Sequence, residues 1–171
     1  MHAMRATFFS LCAMAMAVAG ISLGASPASA SITDSPGYFH LMNKGSGGCI
    51  DVGPPVEQWR CLNTFNEEWQ FTDAGNGLVF IQSHASGLCL AQEDSSANGT
   101  PVVQAPCAGV PSQFWRVSNI AVDNSDGLPY YQLINLSFAQ CLDLENGNKS
   151  NGVPMQVWNC EQTDNQRWKL I

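Results

Sequence analysis

One phrase occurs three times along this chain, and nothing else limits its fold so strongly. Cys49-Ile50-Asp51-Val52 returns as Cys141-Leu142-Asp143-Leu144, with Cys89-Leu90-Ala91-Gln92 as an altered middle copy. Each copy then supplies a second cysteine (Cys61, Cys107, Cys160) and closes on a tryptophan, Trp69, Trp115 or Trp168. The Trp-to-Trp spacings are 46 and 53 residues. A unit of that size cannot bury its own apolar face, so three copies must share one core.

Short apolar runs such as Leu78-Val79-Phe80-Ile81 and Tyr130-Tyr131-Gln132-Leu133-Ile134 alternate with turn clusters such as Asn146-Gly147-Asn148. This is strand-and-turn spacing. No segment after residue 30 holds a helical i, i+3, i+4 apolar pattern over three turns, which predicts an all-β domain. Each copy has room for four strands: before the first Cys, at the Cys-Leu-Asp phrase, before the second Cys, and at the Trp. Propellers have blades of this size but need about four or more of them. Three copies therefore predict a β-trefoil of pseudo-symmetric four-stranded repeats, over about residues 38–73, 78–119 and 130–171.

Residues 1–30 read as an export signal. Arg5 precedes an apolar stretch from Ala6 to about Ala25, and Ala28-Ser29-Ala30 is a small-residue cleavage site. The expected product is a secreted protein comprising residues 31–171, sized for one domain and with no membrane insertion. Seven cysteines become six once Cys12 leaves with the signal. Six cysteines allow 15 pairings. The repeat selects one pair per copy: Cys49–Cys61, Cys89–Cys107 and Cys141–Cys160. Loops of this length each stabilise by roughly 3 kcal/mol in the chain-entropy view. No Cys-x-x-Cys occurs and His40 and His84 stand alone, so no zinc site and no cofactor are expected. After loss of Arg5, six Lys and Arg face 14 Asp and Glu, a net charge of about −8. A surface of that sign repels nucleic acid and suits a neutral ligand.

The three Trp endings, each following a Cys-Leu-Asp-type phrase and a second Cys, resemble the ricin B-type lectin domain, also called the family 13 carbohydrate-binding module. The resemblance spans about residues 38–171. It implies a β-trefoil with a shallow sugar site on each lobe, usually for galactose or related sugars. It also implies that such chains serve as cell-binding subunits beside a separate catalytic or toxin chain, which is the alternative function carried here.

The five tryptophans divide into two classes. Trp69, Trp115 and Trp168 occur once per copy, even in the altered one, and read as core. Trp59 and Trp158 stand two residues before the second Cys in copies one and three, where copy two has Ala105. Asp51 and Asp143 follow the same distribution, with Ala91 in copy two. Residues lost together belong to a shared site rather than to the fold. A pyranose lays its C–H face on a Trp ring, and its vicinal hydroxyls donate to an ionised Asp through charge-assisted bonds about twice as strong as neutral ones. The resemblance completes the third-lobe set as Asp143, Gln156, Trp158, Asn165 and Gln166. The first-lobe set reads Asp51, Glu57, Trp59, Asn66 and Glu67, in which two carboxylates replace amides and alter the site. A bland reading stands beside each. The two Asp could cap turns. Gln166 has a counterpart, Gln113, in the copy without a site, and so reads as structural, whereas Asn165 faces Ser112 there. The longer third-lobe loop, Glu145 to Pro154, is either a tolerated insertion or a lid beside the sugar.

Catalysis is not expected. No Gly-x-Ser-x-Gly, His-Glu-x-x-His or phosphate loop occurs. Asp143 and Glu145 lie two apart on a possible strand, and so on one face roughly 7 Å apart, which makes a glycoside hydrolase pair the minor alternative, and His84 has no base partner visible in the sequence.

Overall fold

In a computed structural model of the protein, residues 37–171 are described, and the expected export signal lies outside them. Twelve strands run in chain order. The first repeat holds β1 (Phe39–Asn43), β2 (Gly48–Asp51), β3 (Glu57–Arg60) and β4 (Glu68–Gly75). The second holds β5 (Leu78–Ser83), β6 (Cys89–Gln92), β7 (Thr100–Ala105) and β8 (Trp115–Val122). The third holds β9 (Pro129–Asn135), β10 (Cys141–Leu144), β11 (Val153–Trp158) and β12 (Trp168–Leu170). The predicted four strands per copy are all present.

Pairing closes the first and last strands of the repeats into a barrel. β1 pairs β4, β4 pairs β5, β5 pairs β8, β8 pairs β9, β9 pairs β12, and β12 returns to β1, all antiparallel. A closed ring of six strands leaves no free edge. The middle strands form the hairpins β2–β3, β6–β7 and β10–β11. β11 also pairs with β3 and with β7, so the third hairpin touches both others. This is the β-trefoil that the triplication requires.

The core is built from equivalent positions of the three copies. Leu41, Ile81 and Leu133 come from the first strands, and Ile50, Leu90 and Leu142 from the second. Trp69, Trp115 and Trp168 come from the fourth, and all nine side chains are buried. The indole N–H of each Trp donates to a carbonyl of the second strand in its own repeat: Trp69 to Ile50 at 3.1 Å, Trp115 to Leu90 at 3.0 Å and Trp168 to Leu142 at 3.1 Å. Each disulfide joins the residues expected, Cys49–Cys61, Cys89–Cys107 and Cys141–Cys160.

A single-turn 3-10 segment precedes every Trp strand, at Phe65–Glu67, Pro111–Gln113 and Asp164–Gln166. It carries the residue before each Trp motif inward, so Glu67, Gln113 and Gln166 are buried. The strand period of two sorts the third strands in the same way. In β11, Val153, Met155 and Val157 face the core while Pro154, Gln156 and Trp158 face out.

The second lobe isolates the role of the core indoles. Replacing Trp115 by Ala should destabilise the oxidised protein by about 3–5 kcal/mol, the usual cost of emptying an aromatic core site. Replacing the partly exposed Trp158 should cost under about 1.5 kcal/mol, because no comparable cavity forms. Urea unfolding with the disulfides intact measures both.

Candidate functional site

On the third lobe, Asp143, Gln156, Trp158 and Asn165 line one concave pocket of about 200 Å³, together with Asn146, Glu161 and Thr163. Three elements meet there. The β10–β11 hairpin pairs Asp143 with Gln156 and Cys141 with Trp158 across the ladder. The 3-10 segment Asp164–Gln166 packs over β10 and adds Asn165. Glu145–Gly147 forms a further 3-10 turn against that segment and brings in Asn146, whose φ is +52°.

Gln166 is not on the pocket surface. It is fully buried beneath it, and all its polar capacity is spent inside the protein. Its Oε1 accepts from the Glu161 N–H at 2.7 Å, while Nε2 donates to the Asn159 carbonyl at 2.9 Å and to Asp143 Oδ2 at 3.1 Å. Gln113 ties the second-lobe cysteine loop in the same manner, accepting from Ala108 and donating to Pro106. Gln166 therefore holds the loop and aims Asp143.

Asp143 is nearly enclosed, 4% exposed, yet each carboxylate oxygen has one amide donor: Gln156 Nε2 on Oδ1 at 2.8 Å and Gln166 Nε2 on Oδ2. Each oxygen keeps lone-pair capacity for a second donor. Burial pushes the Asp143 carboxyl above the usual range, the two amides pull it back, and nearby Glu161 adds to the rise.

The first lobe repeats this pocket with different chemistry. Asp51, Glu57, Trp59 and Asn66 line a cavity of about 500 Å³ with Leu62, Thr64 and Phe65. Glu67, like Gln166, is buried below it, with both oxygens accepting from the Leu62 N–H. The Asp51 carboxyl is raised, first by burial and then by repulsion from Glu67, against a lowering contact from the Gly53 amide. No turn matching Glu145–Gly147 closes this pocket, because the link from β2 to β3 is only the short Val52–Val56 segment. The first-lobe pocket is the more open of the two. In the second lobe the ladder positions hold Ala91 opposite Val103 and Cys89 opposite Ala105, so carboxylate and ring are both missing.

A glycine with positive φ backs each ring platform. Gly99, from the second lobe, lies where an added Cβ would meet Gln156 Oε1 at 3.5 Å and the Trp158 ring at 3.9 Å. Gly152, from the third, stands in the same relation to Glu57 Oε2 at 3.6 Å and the Trp59 ring at 3.9 Å. The first and third lobes thus share a frame assembled from neighbouring repeats.

The sequence matches the family model of the ricin-type β-trefoil lectin domain-like proteins, in three overlapping stretches at residues 29–105, 66–158 and 111–171. The chain belongs to this family. Among solved structures, this ricin-type domain is similar to the designed three-fold symmetric protein ThreeFoil. The two share 30% identity with a TM-score of 0.70, over 78% of this chain and 97% of ThreeFoil. It is also similar to the exo-beta-1,3-galactanase 1,3Gal43A from Clostridium thermocellum (26% identity, TM-score 0.71, 80% of this chain), although it spans only 30% of that enzyme's chain. A third likeness, of fold, is to the Macrolepiota procera ricin B-like lectin, whose structure was determined in complex with lactose. There the identity is 22% and the TM-score 0.66, over 80% of this chain and 95% of that one. No curated protein sequence matches this one.

Two expectations tied to catalysis are corrected. Strand β10 ends at Leu144, and Glu145 opens an exposed 3-10 turn, so Asp143 and Glu145 do not share a strand face. His84 has a carboxylate partner after all, since its Nδ1 meets Glu68 Oε2 while its ring stacks on Tyr38. The pocket residues that the sequence reading passed over, Asn146, Glu161 and Thr163 with Leu62, Thr64 and Phe65, sit in the segments that follow the strand phrase or the second Cys.

Asp143 offers a direct readout. Replacing Gln156 by Met removes a donor to the ionised form, so the Asp143 carboxyl, followed by carbon-13 NMR, should titrate at still higher pH. Because its folded value already lies above the ordinary one, the folded state binds this proton more readily than the unfolded chain. The stability difference between the native protein and Asp143→Asn should therefore move in favour of the native protein as pH falls through the Asp143 midpoint.

Proposed function

We propose that the protein is a secreted, non-catalytic lectin whose third lobe binds a galactose-type sugar of a glycan or polysaccharide. Residues 1–30 act as the export signal in this reading, and residues 31–171 form the lectin domain. The observation that carries it is the meeting of Asp143, Gln156, Trp158 and Asn165 in one open concavity. Trp158 offers a partly exposed ring for the C–H face of a pyranose. Asp143, already aimed by two amides, accepts from a pair of vicinal hydroxyls, and the Asn165 amide can donate or accept at the rim. The pocket is small and shallow and holds one ring. Extracellular residence agrees with three disulfides in a domain of this size.

The same fold accompanies an enzyme in the galactanase, but this chain corresponds to under a third of that protein. A binding role fits the pocket without any nucleophile or acid–base pair. The acidic surface disfavours nucleic acid as a partner.

Affinity follows from the size of the contact. One stacked ring with a few water-competed hydrogen bonds gives about −4 to −5 kcal/mol, a dissociation constant of roughly millimolar to tenths of millimolar. Stronger retention on multivalent glycan comes from simultaneous contacts, in which the second is intramolecular. Calorimetry with galactose and lactose, backed by a glycan array, tests the reading. Replacing Trp158 by Ala should lower binding of neutral sugar at least tenfold, and replacing Ala105 by Ser should leave it unchanged. Intact binding in the Trp158 variant would remove the assignment, and micromolar affinity for a lone monosaccharide would require a deeper pocket than this one.

A further inference from the structure

The two ring-bearing pockets are built on the same frame, with carboxylates in the first lobe where the third has amides. In the third lobe the inner wall is Asp143 held between the amides of Gln156 and Gln166, and the outer rim includes Glu161. In the first lobe the inner wall is Asp51 facing Glu57 across the β2–β3 ladder, above buried Glu67. Its outer rim carries Leu62 and Phe65, which are 44% and 66% exposed, beside Thr64 and Asn66.

No amide stands where Gln156 and Gln166 serve Asp143, since both positions are carboxylates. None of the ion pairs among the described residues involves Asp51, Glu57 or Glu67. The wall therefore offers hydrogen-bond acceptors and uncompensated negative charge beside the Trp59 ring. Burial raises the Asp51 carboxyl first, and repulsion from Glu67 adds to that rise. A neutral sugar hydroxyl has one proton to give and brings no charge. An ammonium group has three protons and a full positive charge. It also gains from an aromatic face, here the Trp59 ring, with Leu62 and Phe65 beside it. The cavity, at about 500 Å³ against about 200 Å³ in the third lobe, leaves room for a pyranose and its substituent.

We propose that the first-lobe pocket is selective for a protonated amino sugar, with the pyranose on Trp59, its ammonium between Asp51 and Glu57, and Phe65 closing the open side. This deepens the lectin reading and rests on it: one lobe takes a neutral sugar, the other a cationic one. Glu57 is the specificity-determining residue, because it stands where Gln156 stands in the neutral site.

The test uses the full mature protein with Trp158→Ala, so that only the first lobe reports. Near-UV circular dichroism shows that the variant is folded. Calorimetry then compares glucosamine and galactosamine, and short oligomers of each, with their N-acetylated forms at pH 6 and low salt. At least one free-amine sugar should bind tenfold or more tightly than its acetylated counterpart. Adding Glu57→Gln should reduce that preference at least fivefold, and Trp59→Ala should abolish binding. Equal binding of free and acetylated sugars overturns the proposal, as does an unchanged preference in Glu57→Gln or absence of binding by every free-amine sugar. Binding of free lysine as tightly as the amino sugar overturns it too, since the site would then take any ammonium. A parallel Trp59→Ala protein, with only its third lobe active, is titrated with neutral galactosides. Failure there removes the third-lobe reading and leaves the first-lobe result to be judged by its own arm.

Discussion

Each repeat of this protein depends on a buried indole N–H that reaches a backbone carbonyl of its own second strand. The donor Trp lies on a barrel strand and the acceptor lies in a cap hairpin, at Ile50, Leu90 or Leu142. One side chain thus fills the core and fixes the angle between the two layers. A buried carbonyl left without a donor costs about 1–3 kcal/mol, so the indole cannot be exchanged for another large apolar group without loss. The disulfide fastens the same hairpin one residue before that carbonyl, joining its first strand to the loop that leads back to the Trp strand.

The candidate sites follow from that arrangement. With Leu142 and Val157 held inward, strand alternation directs Gln156 and Trp158 outward from β11. The 3-10 turn before the core Trp then arches over the hairpin and closes the pocket with Asn165. The second lobe retains the frame, including Trp115, Cys89–Cys107 and Gln113, while the pocket positions have become Ala91, Val103, Ala105 and Ser112. Residues that make the fold and residues that make the pocket occupy opposite faces of the same strands, which is why one set can change without disturbing the other.

Much of this was legible because it repeats. Strand number, disulfide pairing and the division of the five tryptophans all came from comparing three copies of one phrase. What repeats only in space was not legible. Gln113 marked Gln166 as structural, but its contact with Asp143 was hidden, because it depends on the 3-10 turn that sends Gln166 down and Asn165 out to the rim. Asn146 lies in a turn cluster like many others, and it becomes part of the pocket only because that turn packs against Asp164–Gln166. The Glu68 partner of His84 is 16 residues away on another strand, beyond any local pattern.

The lobes also lean on one another. Gln58 of the first repeat is buried, and its Nε2 donates to the carbonyls of Asn148 and Ser150 at 3.0 and 2.9 Å, while Arg60 N–H donates to Asn151 Oδ1. The third repeat holds the second in a matching way: Gln140 Nε2 donates to Ser96 O and Asn98 Oδ1, and Asn159 N–H to Asn98 Oδ1. The long loops of lobes two and three are therefore clamped by the next hairpin rather than free, which argues against a mobile lid at Glu145 to Pro154. On β3, Gln58 faces the third-lobe loop while its neighbours Glu57 and Trp59 face the first-lobe pocket. A strand that secures one pocket wall with one face and builds the other pocket with its opposite face makes the two sites parts of a single rigid surface. Under the proposed lectin reading, rigidity of that kind would spare the protein, though not the glycan, an ordering cost when a second sugar of the same glycan docks.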